Sequence, residues 1–336
     1  MKKLIIQIPC LNEAQTLPAT LADLPKSIPG VDIIEVLVID DGSRDGTAER
    51  ARACGVDHIV RLRRNKGLAA AFQAGIDACL KAGADFIVNT DADNQYAGHD
   101  IPKLLAPLLH GEADICIGDR NIAELRHMSW RKRQLQALGS WVVRQVSGTT
   151  VPDTTSGFRA YTREAALRMT IVSEFSYTLE SIIQAGKKRM AIAHVPISVN
   201  PRTRESRLFD SIFSYIKRSG ATIVRIYAMY EPLKVFTYLG MAILLAGAAG
   251  FGRFFYYYLQ GQAFRHFSSL VASGMLVTLG FLVLVIGLLA DVISGNRKLL
   301  EDLVYRVRSL ESPQREPEDQ RPHFTHASDR ADRWEH

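Results

Sequence analysis

Asp91-Ala92-Asp93-Asn94-Gln95 closes the apolar run Phe86-Ile87-Val88-Asn89-Thr90. Carboxylates one residue apart share a face if the strand continues through them, because side chains alternate with period two. Just beyond a strand's carboxyl end they occupy the crevice where open α/β sheets bind ligands. Oxygen donors of this kind suit a hard divalent cation, Mg²⁺ or Mn²⁺, which in turn can hold a diphosphate. A lone D-x-D is a weak motif, so the surrounding residues decide its worth.

Ile39-Asp40-Asp41-Gly42-Ser43-Arg44-Asp45-Gly46-Thr47 ends a second apolar run and opens a helix. It reads as a tight turn, with Asp45 or Thr47 as N-cap. It also offers a nucleotide site, with Asp40 accepting from a base N–H and Asp41 beside the metal and phosphates. Pro9-Cys10-Leu11-Asn12-Glu13 would form the facing wall. Arg63, Arg64 and Lys66 precede a further helix, where cations oppose the helix dipole. An anionic ligand over that end, or a solvated loop, would account for them.

These residues need a sheet to position them. Leu4–Pro9, Ile33–Asp40, His58–Leu62, Phe86–Asp91 and Asp114–Ile117 read as strands, and Thr47–Ala53, Lys66–Ala82 and Asp100–Leu109 carry helical spacing. Alternation of this kind implies an α/β fold with a mostly parallel sheet covered on both faces. Residues 121–150 interleave Arg126, Arg131, Lys132, Arg133 and Arg144 with Trp130 and Trp141. That pattern predicts a helix lying in a membrane surface, the other reading being a surface helix packed on the domain. Asp153–Tyr161 enters a strand, a helix starts at Arg163, and Thr178–Gly186 and Met190–Val195 read as helix and strand. Pro196–Arg207 is an Arg-rich loop, and 208–232 is amphipathic.

Val235–Gly252 and Phe267–Ala290 contain no charged residue, and roughly 20 helical residues cover the ~30 Å hydrocarbon core. The expected plan is therefore a catalytic domain over 1–207, juxtamembrane helices over 208–232 and a transmembrane hairpin over 233–293. A cytoplasmic helix over 294–310 and a disordered tail over 311–336 complete it. Lys217, Arg218, Arg225 and Lys234 precede the hairpin and Arg297, Lys298, Arg306 and Arg308 follow it, while its link holds Arg265 alone. The positive-inside rule places the catalytic domain and both termini in the cytoplasm, at the inner membrane. Gly240, Gly247, Gly250, Gly274, Gly280 and Gly287 offer small faces for dimers or tetramers. The apolar start of the chain is too short for a signal peptide before Pro9 and Glu13. The net charge of +6 comes without interleaved base-stacking aromatics in the first 200 residues, which argues against nucleic acid as a partner. Four scattered cysteines fit buried thiols in a reducing cytosol.

The motifs Pro9–Glu13, Asp40-Asp41-Gly42-Ser43, Asn65-Lys66-Gly67, Asp91–Gln95, Gly118-Asp119-Arg120 and Ser156-Gly157-Phe158-Arg159, with the trailing hairpin, resemble family-2 glycosyltransferases. The resemblance is to the polyprenyl-phosphate sugar transferases of the dolichyl-phosphate mannose synthase and bactoprenol glucosyltransferase type, from about Leu4 to Ile293. It implies a Rossmann-like GT-A fold and a UDP- or GDP-linked sugar donor. Pro9, Leu11, Glu13, Asp40 and Asp41 would line the nucleoside, with Lys66 and Ala92 also in the donor site. Asp91, Asp93 and Gln95 would hold the metal and diphosphate. Asp91, Asp93 and Arg120 would form the catalytic set, Arg120 reaching phosphate. Arg131, Arg133, Arg159, Arg202, Arg204 and Arg207 would screen an acceptor phosphate, and Glu180 matches an acidic position of the family. The implied reaction is inverting transfer of one sugar to undecaprenyl or dolichyl phosphate. Two departures stand out: Pro201–Arg207 replaces an Arg followed by Gly-x-Ser-Lys, and Gly118-Asp119-Arg120 replaces Gly-Ser-Arg. The Gln-x-x-Arg-Trp motif of processive synthases is missing from the sequence. Other readings are transfer to a different lipid, nucleotidyl transfer, and a catalytically silent membrane scaffold that binds nucleotide-sugar.

Overall fold

The computed structural model describes residues 1–121, 130–173, 177–200 and 212–312. Among these, strands β1 (Lys3–Cys10), β2 (Ile33–Asp40), β3 (His58–Arg61), β4 (Phe86–Asn89), β5 (Ile115–Asp119), β6 (Arg159–Thr162) and β7 (Ile192–Pro196) form one sheet. Helices α1 (Leu17–Ala22), α2 (Thr47–Ala53), α3 (Leu68–Lys81), α4 (Ile101–Leu109), α5 (Trp130–Ser147), α6 (Arg163–Arg168) and α7 (Tyr177–Lys187) connect or flank the strands. The strand order is β3-β2-β1-β4-β6-β5-β7. Only β6 runs antiparallel to its neighbours. The expected mostly parallel sheet is present.

Burial follows the pleat. Leu4, Ile6 and Ile8 of β1 join the core under α1 and α4, while Ile5 joins the core under α3 and α7. Each such side chain contributes about 1.5–3 kcal/mol on burial. The chain leaves β1 towards β2 and β3, then returns to the other side of β1 as β4. That is a switch point, with a crevice at the strands' carboxyl ends. Pro9 sits where the crevice opens. Gln7 faces β4, since its carbonyl accepts from the Thr90 N–H, and Pro9 shares its parity. The β1–β4 ladder stops at Gln7 and Asn89, so the N–H that proline lacks would have had no strand to meet.

The carboxyl half of α5 packs on α7, with Val143 and Ser147 buried and Trp141 52% exposed. A Cβ on Gly186 of α7 would lie 2.1 Å from the Ser147 carbonyl oxygen, so the two helices touch backbone to backbone. Helix packing thus accounts for one side of α5 and leaves a Trp on the other. The side chains of 122–138, including Arg126, Arg131 and Arg133, lie outside the described part, as do Arg202, Arg204, Arg207 and the tail from 313.

Beyond the sheet run α8 (Ile212–Tyr230), α9 (Pro232–Leu259) and α10 (Phe267–Glu311). The last two are long and apolar enough to cross a membrane and pair as a hairpin. The seam is built from small residues seven apart, Gly240 and Gly247 against Ser273, Gly280 and Gly287. A Cβ on Gly240 would lie 2.8 Å from Leu284, and one on Gly287 would lie 2.7 Å from Phe236. The glycines expected to mediate self-association are therefore spent inside one chain, apart from Gly274, which has open space around it. The expected separate helix over 294–310 is instead the uninterrupted continuation of α10.

That continuation docks on the domain. Arg308 donates to the Met169 carbonyl at 2.6 Å and pairs with Asp77 at 3.1 Å. Glu301 pairs with Lys188 at 3.1 Å, and Arg297 stacks over Tyr230. Tyr305 donates to Glu164 at 3.2 Å.

Candidate active site

Strand β4 ends at Asn89, short of the expected Asp91, so strand alternation does not align the two carboxylates. A turn carries them instead, with Asn94 in the left-handed region at φ 55°, a conformation asparagine tolerates. Asp93 Oδ1 accepts from the Gln95 N–H at 3.1 Å. The turn is tied from both sides. Thr20 Oγ1 donates to the Ala92 carbonyl at 2.9 Å, and Asn200 donates to the carbonyls of Asn94 and Gln95. Asp91 and Asp93 remain half-buried, at the carboxyl end of β4.

The donor set fits a hard divalent cation. Two carboxylates share one turn, and the buried Asn94 Oδ1 has no hydrogen-bond partner among the described residues. No group of three or more His, Cys, Asp or Glu assembles among the described residues. A cation held there would take its other ligands from phosphate and water, as Mg²⁺ commonly does.

Behind Asp91 lies a buried polar network that the motifs did not reveal. Gln7 Nε2 donates to Asn89 Oδ1 at 3.0 Å, and Asn89 Nδ2 donates to the Gly157 carbonyl and to Tyr177 Oη. The Gly157 N–H donates to Tyr96 Oη at 3.0 Å, and burial pushes that phenol up to about 12. The signal was in the sequence: Gln7 and Asn89 are polar residues inside apolar strands, and buried polar groups require partners. Gly157 itself is fixed by space. A Cβ there would lie 2.9 Å from Tyr177 Oη and 3.2 Å from Asp91 Oδ1. Gly157→Ala should therefore displace Asp91 or Tyr177, lowering transfer about 10- to 100-fold at a stability cost of about 1–3 kcal/mol. Initial rates and thermal melts on one preparation check both.

The loops after β1 and β2 lock together. Asn12 takes φ 55°, its N–H donates to Ser43 Oγ at 2.9 Å, and its Oδ1 accepts from the Arg44 N–H at 2.9 Å. Glu13 donates its N–H to Thr47 Oγ1 and accepts from Thr16 Oγ1 at 2.6 Å. The N-cap of α2 is Gly46, in place of Asp45 or Thr47; Asp45 instead holds the Ala14 and Thr47 amides. Asp40 is fully buried. Its Oδ1 accepts from the Ser43 N–H, while Oδ2 has no hydrogen bond among the described residues and lies 3.2 Å from Arg61 Nε.

Asp41 accepts from the Lys66 and Gly67 N–H groups at 2.7 and 2.9 Å. A protein carboxylate thus occupies the start of α3, the place where an external anion was a candidate. Burial pushes Asp41 above the usual carboxylate range despite those two donors. Gly42 is needed for close approach, because a Cβ there would lie 2.7 Å from the backbone of Arg64 and Asn65. The Lys66 side chain is exposed, Leu11 is half-buried and Pro9 is buried.

Arg120 is clamped. Its Nε and Nη2 donate to the two oxygens of Asp153 at 2.7 and 3.0 Å, and Nη2 donates to Thr155 Oγ1 at 2.8 Å. Burial opposes its charge, and the carboxylates of Asp153 and Asp91 outweigh that and favour the cation. One expectation needs correcting. Arg159 is 1% exposed, and four of its five donor positions go to the Ser156, Thr178 and Thr154 carbonyls and Ser181 Oγ. It braces α7 against the strand and cannot meet an acceptor phosphate from there. Glu180 is buried too, accepting from the Val172 and Ser173 amides and Gln184. It anchors the chain entering α7.

An open, mostly parallel sheet with an acidic turn at its switch point defines the GT-A class of glycosyltransferases. The chain belongs to glycosyl transferase family 2, which it matches over residues 5–169. A polyprenol monophosphomannose synthase of Mycolicibacterium smegmatis is 29% identical, over 60% of this chain and 78% of its own. An uncharacterized glycosyltransferase of Mycobacterium bovis is 33% identical, over 59% of this chain and 85% of its own. Among solved structures, glucosyl-3-phosphoglycerate synthase from Mycobacterium tuberculosis, in complex with Mn²⁺ and uridine diphosphate, superposes with a TM-score of 0.51. It is 20% identical over 68% of this chain and 79% of its own.

Proposed function

We propose that this glycosyltransferase moves one sugar from a nucleoside diphosphate donor to a polyprenyl phosphate at the cytoplasmic face of a membrane, with inversion. The observation that carries the reading is the tied acidic turn at Asp91–Gln95, facing the crevice between β1 and β4. A relative named for a polyprenol product and the long apolar hairpin support the lipid acceptor. Asp91 and Asp93 would hold Mg²⁺ or Mn²⁺, which when bound supplies charge neutralisation to the departing diphosphate.

The chain's own residues do the rest. Asp40 Oδ2, a buried acceptor paired with the Arg61 guanidinium and without a hydrogen bond among the described residues, is suited to a base N–H, and Pro9, Leu11 and Glu13 would wall that side. Arg120, held rigid by Asp153 and kept cationic, would steady phosphate charge beside Asp91. Arg131, Arg133, Arg202, Arg204 and Arg207 are the cations proposed to screen the acceptor. A phosphate monoester with a second pKa near ~6 is mostly dianionic at neutral pH, so attack on the anomeric carbon needs no general base. A lipid hydroxyl would need one.

Both ends of the hairpin adjoin the catalytic body, α8 leading in and α10 docking on the way out. Hence α9 and α10 would enter the bilayer from one side, and the flanking Lys and Arg residues favour the cytoplasm for that side. The exposed Trp141 of α5 suits headgroup depth. The test is a panel: protein in vesicles, radiolabelled UDP- and GDP-sugars, and polyprenyl phosphate or diacylglycerol as acceptor. Label in polyprenyl phosphate with one donor is the expected result. Label only in diacylglycerol, or donor binding without any transfer, would replace the proposal with the other lipid acceptor or the scaffold.

A further inference from the structure

Past Asp291, the helix α10 keeps an apolar stripe that no described residue covers. One face of its last three heptads is used up on the catalytic body through Arg297, Glu301, Tyr305 and Arg308. On the other side Leu300, Leu303, Val307 and Leu310 are 61%, 56%, 52% and 82% exposed. Exposed apolar residues before Asp291 are accounted for by lipid on the membrane reading. Those after it are not, because this part of the helix runs alongside the polar catalytic domain.

Five of the eight large apolar residues exposed past Asp291 keep heptad spacing, and Val292, Leu299 and Val304 fall on the adjoining g and e positions. Ile293, Leu300 and Val307 recur at seven, and Leu303 and Leu310 follow at three beyond the second and third, giving a and d positions of a heptad. Branched Ile and Val at a with Leu at d is the composition that favours two parallel strands. Asn296 occupies the remaining d position and is exposed. On the flanks Arg306 falls at g and Glu311 at the following e, the pair that meets across a parallel two-stranded coil; within the chain Arg306 pairs with Asp302 at 2.9 Å and Glu311 lies 4.0 Å from Lys81, surface pairs that a partner's charges can replace. Both side chains are more than half exposed. Under a two-fold axis each opposite-charge contact is made twice.

We infer that the 293–311 part of α10 is a parallel coiled-coil seam for a second copy of this chain, outside the bilayer. The inference rests on the proposed membrane crossing, which holds both helices in one direction and so excludes antiparallel pairing. It gives self-association a different surface from the glycine face that the hairpin consumes.

Disulfide trapping tests it. In a Cys54→Ser background, which removes the exposed thiol, Leu303→Cys at a d position should crosslink to a dimer in vesicles under mild oxidation. Lys298→Cys, at an f position away from the seam, should crosslink at least about tenfold less. At non-saturating protein-to-lipid ratios, Arg306→Glu or Glu311→Arg alone should cut the Leu303→Cys dimer about threefold, and the two together should restore it. Glycosyl transfer on the same samples reports folding. Equal crosslinking at 298 and 303, no rescue by the double reversal, or a crosslinked partner other than this chain would each overturn the seam. Flotation of the vesicles reports the membrane reading separately: protein that fails to float sinks that reading, whereas floating protein without the 303 crosslink sinks only the seam.

Discussion

An Asp93→Asn enzyme is expected to float with membranes and melt like the parent while transferring sugar at least about a thousandfold more slowly. Asn preserves the oxygen that accepts from the Gln95 N–H, so the turn keeps its shape. What it loses is the charge that binds a cation. Thorough chelation of the parent should match this loss, and Mg²⁺ or Mn²⁺ should restore the parent and not the variant. Full turnover by a chelated parent would contradict the role given to this turn.

Asp153→Ala is expected to cost about 3–5 kcal/mol, because it leaves the buried Arg120 charge without its carboxylate. Burial alone would raise the Asp153 carboxyl, but the charge and hydrogen bonds of Arg120 overcome it and hold the group below the usual range. A folded value below the unfolded one, about 3.9, means stability present in full above that pH. It is lost as pH falls through the folded value. Denaturant unfolding at pH 7 and pH 3 should therefore differ less in Asp153→Asn than in the parent. Arg120→Met with Asp153→Leu should regain much of the stability, since an apolar pair can replace a buried ion pair. Transfer should stay lost. An identical pH dependence in parent and Asp153→Asn would take the pair out of the stability account.

Much of the sheet was readable from the residues. The strand Ile33–Asp40 and the helix Thr47–Ala53 stand where their spacing placed them, because apolar period and turn residues agree there. The antiparallel direction of β6 was not readable. Its four residues carry no mark of orientation, and direction is set by pairing with β4 and β5. The end of β4 was misjudged because Thr90 and Asp91 suit a strand or a turn equally, and the left-handed Asn94 decides. Arg159 failed for a related reason: an arginine beside a motif looks like an anion binder until its partners are known, and those lie up to 22 residues away.

The helix running from Phe267 to Glu311 without a break has a mechanical consequence. At 1.5 Å per residue, a rod fastened by Arg308 to the body leaves no slack for the catalytic crevice to rise or tilt freely. On the proposed membrane reading, its working height would be a number of residues counted from Asp291 to Arg308. A lipid-borne phosphate would then meet the crevice at one fixed distance from the bilayer, and a slender carrier with a mobile headgroup is the cargo such a gauge would admit.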